Sequence, residues 1–268
     1  MTAPRPSVAV VRADNPGPMT LDGTRSYVLR GAGSTSCVVV DPGPDDERHL
    51  ATLADAGPVE LVLVTHRHAD HTAGSARLHA LTGAPVRAAD PVHCHGGEPL
   101  RGGETIDAAG LRVDVLATPG HTADSVSFVV TVPDGAGSGE TVVLTGDTVL
   151  GQGTTVIAEP DGSLRDYLAS LDLLERLGDR HVGLPGHGPA IDDLGVAVRA
   201  YRAHRLERLS QVREALAGLG RSAGDASAAD AVVAHVYADV DPSVRRAARQ
   251  SVVAQLAYLA DEPASRHH

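Results

Sequence analysis

The sequence predicts an α/β domain over residues 1–193 followed by a small helical domain over residues 194–268. Short apolar runs rich in Val and Leu alternate with helix-patterned stretches through the first part, as expected of sheets covered by helices. Four of those runs end in a loop carrying His or Asp, which would deliver chemistry to one sheet edge. From about Leu194 onward the pattern is helical without strands.

Residues 7–12 and 26–30 read as short strands, and the segment 15–24 between them is rich in turn residues and suited to lining a cleft. A third strand, 37–40, stops at Asp41-Pro-Gly-Pro, and a helical alternation follows over 45–56. The run 59–64 reads as a buried strand that ends abruptly in His66, His68, Asp70 and His71. Neutral imidazole suits zinc, and a carboxylate completes a site or builds a second one. In a loop leaving a strand, His66 and His68 can point one way while Asp70 and His71 point to a neighbouring position, so one hexapeptide can serve two metals.

A helix is expected over 72–81, closed by Gly83, and short strands near 86–88, 104–107 and 111–117. The last of these ends in Thr118-Pro-Gly-His121-Thr. Strand 125–132 leads through the glycine-rich turn 134–139 into strand 141–145, which ends at Gly146-Asp147. Leucines at 164, 168, 171, 174 and 177 mark the core face of a helix over 163–177, and strand 181–184 runs into Pro-Gly-His187-Gly-Pro. The helical part begins with 194–218, which carries Arg199, Arg202, Arg205, Arg208 and Arg213. Glycines from 218 to 224 loosen the chain before helices at about 226–237 and 243–260.

Composition narrows the function. With one Phe, five Tyr and no Trp, the core is built from Val, Leu and Ala. No lysine occurs, which excludes a catalytic or Schiff-base lysine and leaves anion contacts to Arg and His. A formal net charge of −11 opposes non-specific binding of nucleic acid or anionic membrane. Cys37 and Cys94 lie far apart and suggest no disulfide framework, so a reducing cytoplasm is the expected compartment. No apolar leader and no run of membrane-spanning length is visible, so a soluble, cytoplasmic protein is expected, and a homodimer is compatible with it.

Taken together, His66, His68, Asp70, His71, His121, Asp147 and His187 resemble the metallo-β-lactamase superfamily in its glyoxalase-II-like form. The resemblance implies an αββα sandwich with a dinuclear centre at one edge of its two sheets. By that likeness His66, His68 and His121 bind the first metal, Asp70, His71 and His187 the second, and Asp147 bridges both. Two zinc ions are the expected cofactor, with manganese and iron compatible. A hydroxide between them would be the nucleophile, and Asp70 and Asp147 the carboxylates of the catalytic centre.

The segments 15–27, 146–155 and 201–208 are similar to the beta-lactamase-like protein 2 family across nearly the whole chain, which implies a winged-helix-like C-terminal domain. Arg25-Ser26 replaces the Asn-Thr common there, and no clear wing follows the last helix.

The expected activity is metal-dependent hydrolysis of a small ester or thioester. The alternative implied by the second likeness is an endoribonuclease acting on single-stranded RNA, against which the acidic charge, the missing lysine and the scarce aromatics count. An iron-dependent persulfide dioxygenase shares the fold and the first His-x-His, but the complete ligand set favours two metals. A non-enzymatic binding module is hard to reconcile with that set. True β-lactamases of this fold typically carry cysteine at the position of Asp147, flavodiiron proteins a carboxylate at that of His68, and glyoxalase II uses lysines toward glutathione.

Asp41 is the first candidate to orient a ligand imidazole, with Thr65 and Thr122 as others. His93-Cys94-His95 reads as an exposed loop rather than a metal clip. Gly151-Gln-Gly-Thr-Thr155 reads as a cleft wall beside Asp147, and the arginine helix either holds a phosphate-bearing substrate or presents a solvated face.

Overall fold

Val and Leu residues from two sheets interdigitate to make the central core. One sheet runs β1 (Ser7–Arg12), β2 (Arg25–Arg30), β3 (Cys37–Val40), β4 (Val59–Leu63) and β5 (Val86–Arg87) in that order. The other runs β6 (Thr105–Ala108), β7 (Leu111–Ala117), β8 (Val126–Thr131), β9 (Thr141–Gly146) and β10 (Val182–Pro185), with β6 and β10 at its edges. Pairing is antiparallel except for β3 with β4, β4 with β5, and β9 with β10. This is a computed structural model, and it describes residues 7–132, 141–237 and 245–262.

Alternation along the strands decides the layers, because side chains i and i+2 share a face. Leu29, Val38, Val40 and Leu63 meet Val113, Val115, Phe128 and Leu144 between the sheets. The opposite faces are covered by helices. Val28, Val39, Val62 and Val64 pack against Leu50 and Leu53 of α1 (Glu47–Ala54) and Leu78 of α3 (Ser75–Thr82). Val143 packs with Tyr167, Leu171 and Leu174 of α4 (Leu164–Glu175) and with Leu194 and Val198 of α5 (Leu194–Leu219). The result is the expected αββα order. Side-chain oxygens cap the helix starts: Asp46 accepts from His49 N, Ser163 from Asp166 N and Asp193 from Val196 N.

The expected helix 72–81 is instead two elements, α2 (Ala69–Thr72) and α3. Asp70 and His71 therefore lie on a short helix rather than in an open loop. The His68 carbonyl accepts from the His71 and Thr72 amides at 2.9 and 3.1 Å, closing a turn immediately after the histidine pair. Gly74 follows because a Cβ there would meet Leu50 Cδ2 at 2.6 Å. The arginine helix also differs, running through Gly218 to Leu219 and stopping at Gly220, which adopts a left-handed φ of 61°. The turn 134–139 and residues 265–268 lie outside the described residues.

Helix α5 serves two cores. Its first half packs on α4, while Val212, Ala215 and Leu216 join α6 (Ala228–Val236) and α7 (Arg245–Ala260) through Val232, Val252 and Leu256. No strand follows Pro185 among the described residues, and none of their helices is long and apolar enough to cross a membrane.

Phe128 sits mid-strand in β8, fully buried between the sheets. Phe128→Ala should cost about 3–5 kcal/mol of unfolding free energy, read from the urea midpoint at unchanged slope. A loss below about 1 kcal/mol would contradict the sandwich core.

Candidate metal centre

Four strand ends build the site. The chain beyond β4 carries His66 and His68 and then, on α2, Asp70 and His71; His121 follows β7, Asp147 follows β9 at once, and His187 follows β10. Backbone bonds lock these ends together. Val126 N donates to Thr65 O at 2.8 Å, Gly186 N to Gly146 O at 2.8 Å, and Arg25 N to Gly186 O at 2.8 Å. All seven residues expected from the sequence meet at this edge. His66, His68 and His121 form one group of donor atoms, Asp70, His71 and His187 another, and Asp147 joins His66 and His71 in a third, the atoms of each lying within 4.8 Å of one another.

Hydrogen bonds made by the outward nitrogens fix which ring atoms face inward. His71 Nδ1 donates to Asp41 Oδ2 at 2.8 Å, and His121 Nδ1 donates to the Val156 carbonyl at 2.8 Å with Thr155 Oγ1 at 3.1 Å. The Thr65 hydroxyl donates to Asp41 and so accepts from His66 Nδ1–H, at 3.1 Å. In the neutral rings of His66 and His121 this leaves an unprotonated Nε2 for the interior. There, His68 Nδ1 lies 3.1 Å from His66 Nε2 and 3.0 Å from His121 Nε2. Lone pairs converging this closely repel unless a proton or cation lies among them. Asp147 Oδ1 is buried with no hydrogen-bond partner, a further atom in want of a positive charge. A Cβ on Gly186 would meet Asp147 Oδ1 at 2.4 Å and His71 Cε1 at 2.7 Å, so glycine is what lets β10 close on the cluster. The donor set fits a pair of divalent cations of the zinc type.

Asp41 has a particular place in the site. It is buried, sits at a left-handed φ of 55° that costs energy for a non-glycine residue, and accepts from Thr65 N at 2.7 Å, Thr65 Oγ1 at 2.8 Å and His71. Thr122 does not orient His121; it bonds Asp124 and Ser125 and caps its own turn. Thr24 and Asn15 carry roles the sequence did not announce. Thr24 Oγ1 donates to Asp70 Oδ2 at 2.8 Å, while the Asn15 side chain holds both the Thr24 amide and its hydroxyl. Arg67, between the first two histidines, ties their loop to Asp90, Asp124 and Asp161 at 3.2–3.4 Å. The segment Gly151–Thr155 is indeed a wall, buttressed by Tyr201, whose hydroxyl bonds Leu150 and Gly153. His93, Cys94 and His95 join no metal-type cluster among the described residues.

Electrostatics follow from the packing. Burial opposes ionisation of Asp70 and Asp147, but hydrogen bonds from His187 and the nearby charge of His71 outweigh it and hold both carboxyls well below their usual range. Burial pushes His66 and His68 down, helped by neighbouring imidazoles. Burial would also lower His71 and His187, yet Asp41 and Asp147 raise the first, and Asp147 and Asp70 raise the second to about 9.

The model of the Metallo-beta-lactamase superfamily matches residues 19–187, and that of the Beta-lactamase associated winged helix domain matches residues 228–263. An atrochrysone carboxyl ACP thioesterase of Aspergillus fumigatus is 33% identical over 70% of the chain, which spans 58% of that relative's length. A beta-lactamase-like protein 2 homolog of Caenorhabditis elegans is 29% identical over 92% of the chain and 81% of its own length. The crystal structure of a metallo-beta-lactamase family protein from Thermus thermophilus superposes with a TM-score of 0.71 at 25% identity, covering 95% of this chain and 93% of the other.

Two outcomes test the site. At pH 7.5 the metal-free protein should hold a proton on His187, which its carboxylate neighbours raise to about 9, so zinc binding should release protons; calorimetry in buffers of different ionisation enthalpy measures this, and a buffer-independent heat would contradict it. Asp41→Asn, which disturbs both the His71 contact and Thr65, should weaken metal affinity by about 10–100-fold in chelator competition.

Proposed function

The chain belongs to the Metallo-beta-lactamase superfamily, and from that premise we propose that it is a dinuclear, zinc-dependent hydrolase of acyl thioesters. The observation that carries this is the convergence of seven side chains in two donor groups sharing Asp147 between them. His66, His68 and His121 would hold one cation, Asp70, His71 and His187 the other, and Asp147 both. Cations held there would supply a hydroxide at neutral pH and would polarise a carbonyl under attack.

The remaining work falls to the chain itself. Asp70 and Asp147 bring negative charge to offset the cations, and their depressed pKa values keep them charged across the physiological range. Asp41 holds the His71 proton on Nδ1, and the Val156 carbonyl does the same for His121, so both rings present Nε2 inward. Thr24, just before β2, fixes the rotamer of Asp70 through its hydroxyl. The Arg67 clamp keeps the histidine loop from swinging into solvent.

A thioester is favoured by the relative named as a thioesterase and by the pairing of the arginine helix. Arg199, Arg202 and Arg213 of α5 are each paired with an acidic side chain, which removes them from a phosphate-tracking stripe. The second reading, a nuclease for single-stranded RNA, is supported by the beta-lactamase-like protein 2 homolog aligned over nearly the whole chain.

Parallel assays on an S-acyl-N-acetylcysteamine and a labelled single-stranded RNA separate the two readings. The zinc-loaded enzyme should turn over the thioester, and Asp147→Ala should lower kcat/KM by more than about a hundredfold while the circular dichroism spectrum is retained. RNA cleavage without thioester turnover, lost in the same variant, would replace the first reading by the second.

A further inference from the structure

A cavity of about 330 Å³, lined by none of the seven site residues, lies where α5 and α7 meet the wall segment that ends in Thr155 and Val156, with Pro18 and Met19 on its other side. Its charged lining is Arg205 and Arg208, beside a His204 ring that burial and these arginines hold toward the neutral form, and no acidic residue lines it among the described residues. That is unusual in a chain of net charge −11.

Arg205 is the more informative group. It is 5% exposed, its Nη2 donates to the Thr155 carbonyl, and its guanidinium stacks over Tyr167 at 5.2 Å, but its Nε is buried without a partner. A buried guanidinium ordinarily has a carboxylate beside it, because an uncompensated charge is expensive to desolvate. Three other arginines of the same helix have one: Arg199 pairs with Asp179, Arg202 with Asp172 and Arg213 with Glu262. Arg205 and Arg208 make no ion pair among the described residues; Arg208 bonds Gln211 and lies over Tyr237 at 5.3 Å. Across the cavity, Gln255 of α7 is 2% exposed with Oε1 unpartnered, leaving a carboxamide that can turn to offer a donor or an acceptor.

The cavity backs onto the segment that holds His121. Thr155 and Val156 line it and also hold His121 Nδ1, so a single two-residue wall separates a molecule there from a ligand imidazole. We propose that this cavity binds an anionic group, a carboxylate or a phosphate, carried by the substrate at a distance from its reacting carbonyl, with Arg205 and Arg208 as the counter-charges and Gln255 bonding the same group. A purely structural Arg205 would account for the bond to Thr155. It leaves unexplained the orphaned Nε, the second unpaired arginine and the buried carboxamide facing one cavity.

The inference deepens the thioesterase reading, since the anion then sits either on the acyl chain or on the thiol arm. Binding to the metal-free full-length chain, which cannot turn substrate over, separates the two claims. Calorimetry would compare two matched pairs: pantetheine with pantetheine 4′-phosphate, and S-butyryl- with S-glutaryl-N-acetylcysteamine. In one pair the anion should bind at least about tenfold tighter than its neutral twin, with an advantage that shrinks in high salt and falls below about threefold in Arg208→Gln. The pair that responds tells thiol-side phosphate from acyl-side carboxylate. Arg205→Lys, which keeps the charge but not the fork toward Thr155 and the cavity, should lose part of the advantage while the neutral twin binds as before. Equal affinities within both pairs, or an advantage that survives Arg208→Gln, would overturn the proposal. Should the anion bind as expected while the metal-loaded enzyme leaves thioesters intact, the cavity stands and the thioesterase reading falls.

Discussion

Burying Asp147 beside His66, His71, His121 and His187 sets the terms for the whole site. A carboxylate in that position is stable only if positive charge stands close to it, and the surrounding rings provide that charge only where they carry a proton or share a cation. The outward nitrogens of His66, His71 and His121 already have partners in Thr65, Asp41 and the Val156 carbonyl, so the inward ones are committed to the interior. The surrounding fold therefore holds a constellation that repels itself when empty of charge and is satisfied by cations.

The sheets make this arrangement tolerable. The seven side chains follow strand ends, and the contacts of Thr65 with Val126 and of Gly186 with Gly146 and Arg25 tie those ends together. Two glycines are indispensable to the approach. Gly186 lies where any Cβ would strike Asp147, and Gly146, at a left-handed φ of 48°, lies where one would strike Thr65. Helix α5 extends the same logic outward, because its Tyr201 and Arg205 brace the segment that holds His121.

Much of this was legible in the residues before any coordinates. The strand ends were marked by abrupt changes from Val and Leu to Gly, Pro, His and Asp, and those changes sit where the structure ends β4, β7, β9 and β10. The helical boundaries were less visible. Gly74 lies between α2 and α3 where Leu50 leaves no room for a Cβ, and Gly218 fails to break α5, since an exposed helix tolerates glycine that tertiary packing does not forbid. Thr24 and Asn15 escaped notice for a similar reason. Their importance comes from a contact 46 residues away in sequence, between Thr24 and Asp70, and nothing in the local pattern of a turn-rich segment points to it. The unpaired Arg205 was hidden in a helix whose other arginines are ordinary surface ion pairs.

The central claim is that these side chains form a shared two-cation centre, and anomalous diffraction from crystals of the zinc-loaded protein, collected on both sides of the zinc edge, tests it most directly. The account predicts two zinc peaks per chain, one among His66, His68 and His121 and one among Asp70, His71 and His187, with Asp147 between them. A single peak at saturating zinc, or peaks that leave Asp147 without a metal contact, would contradict it.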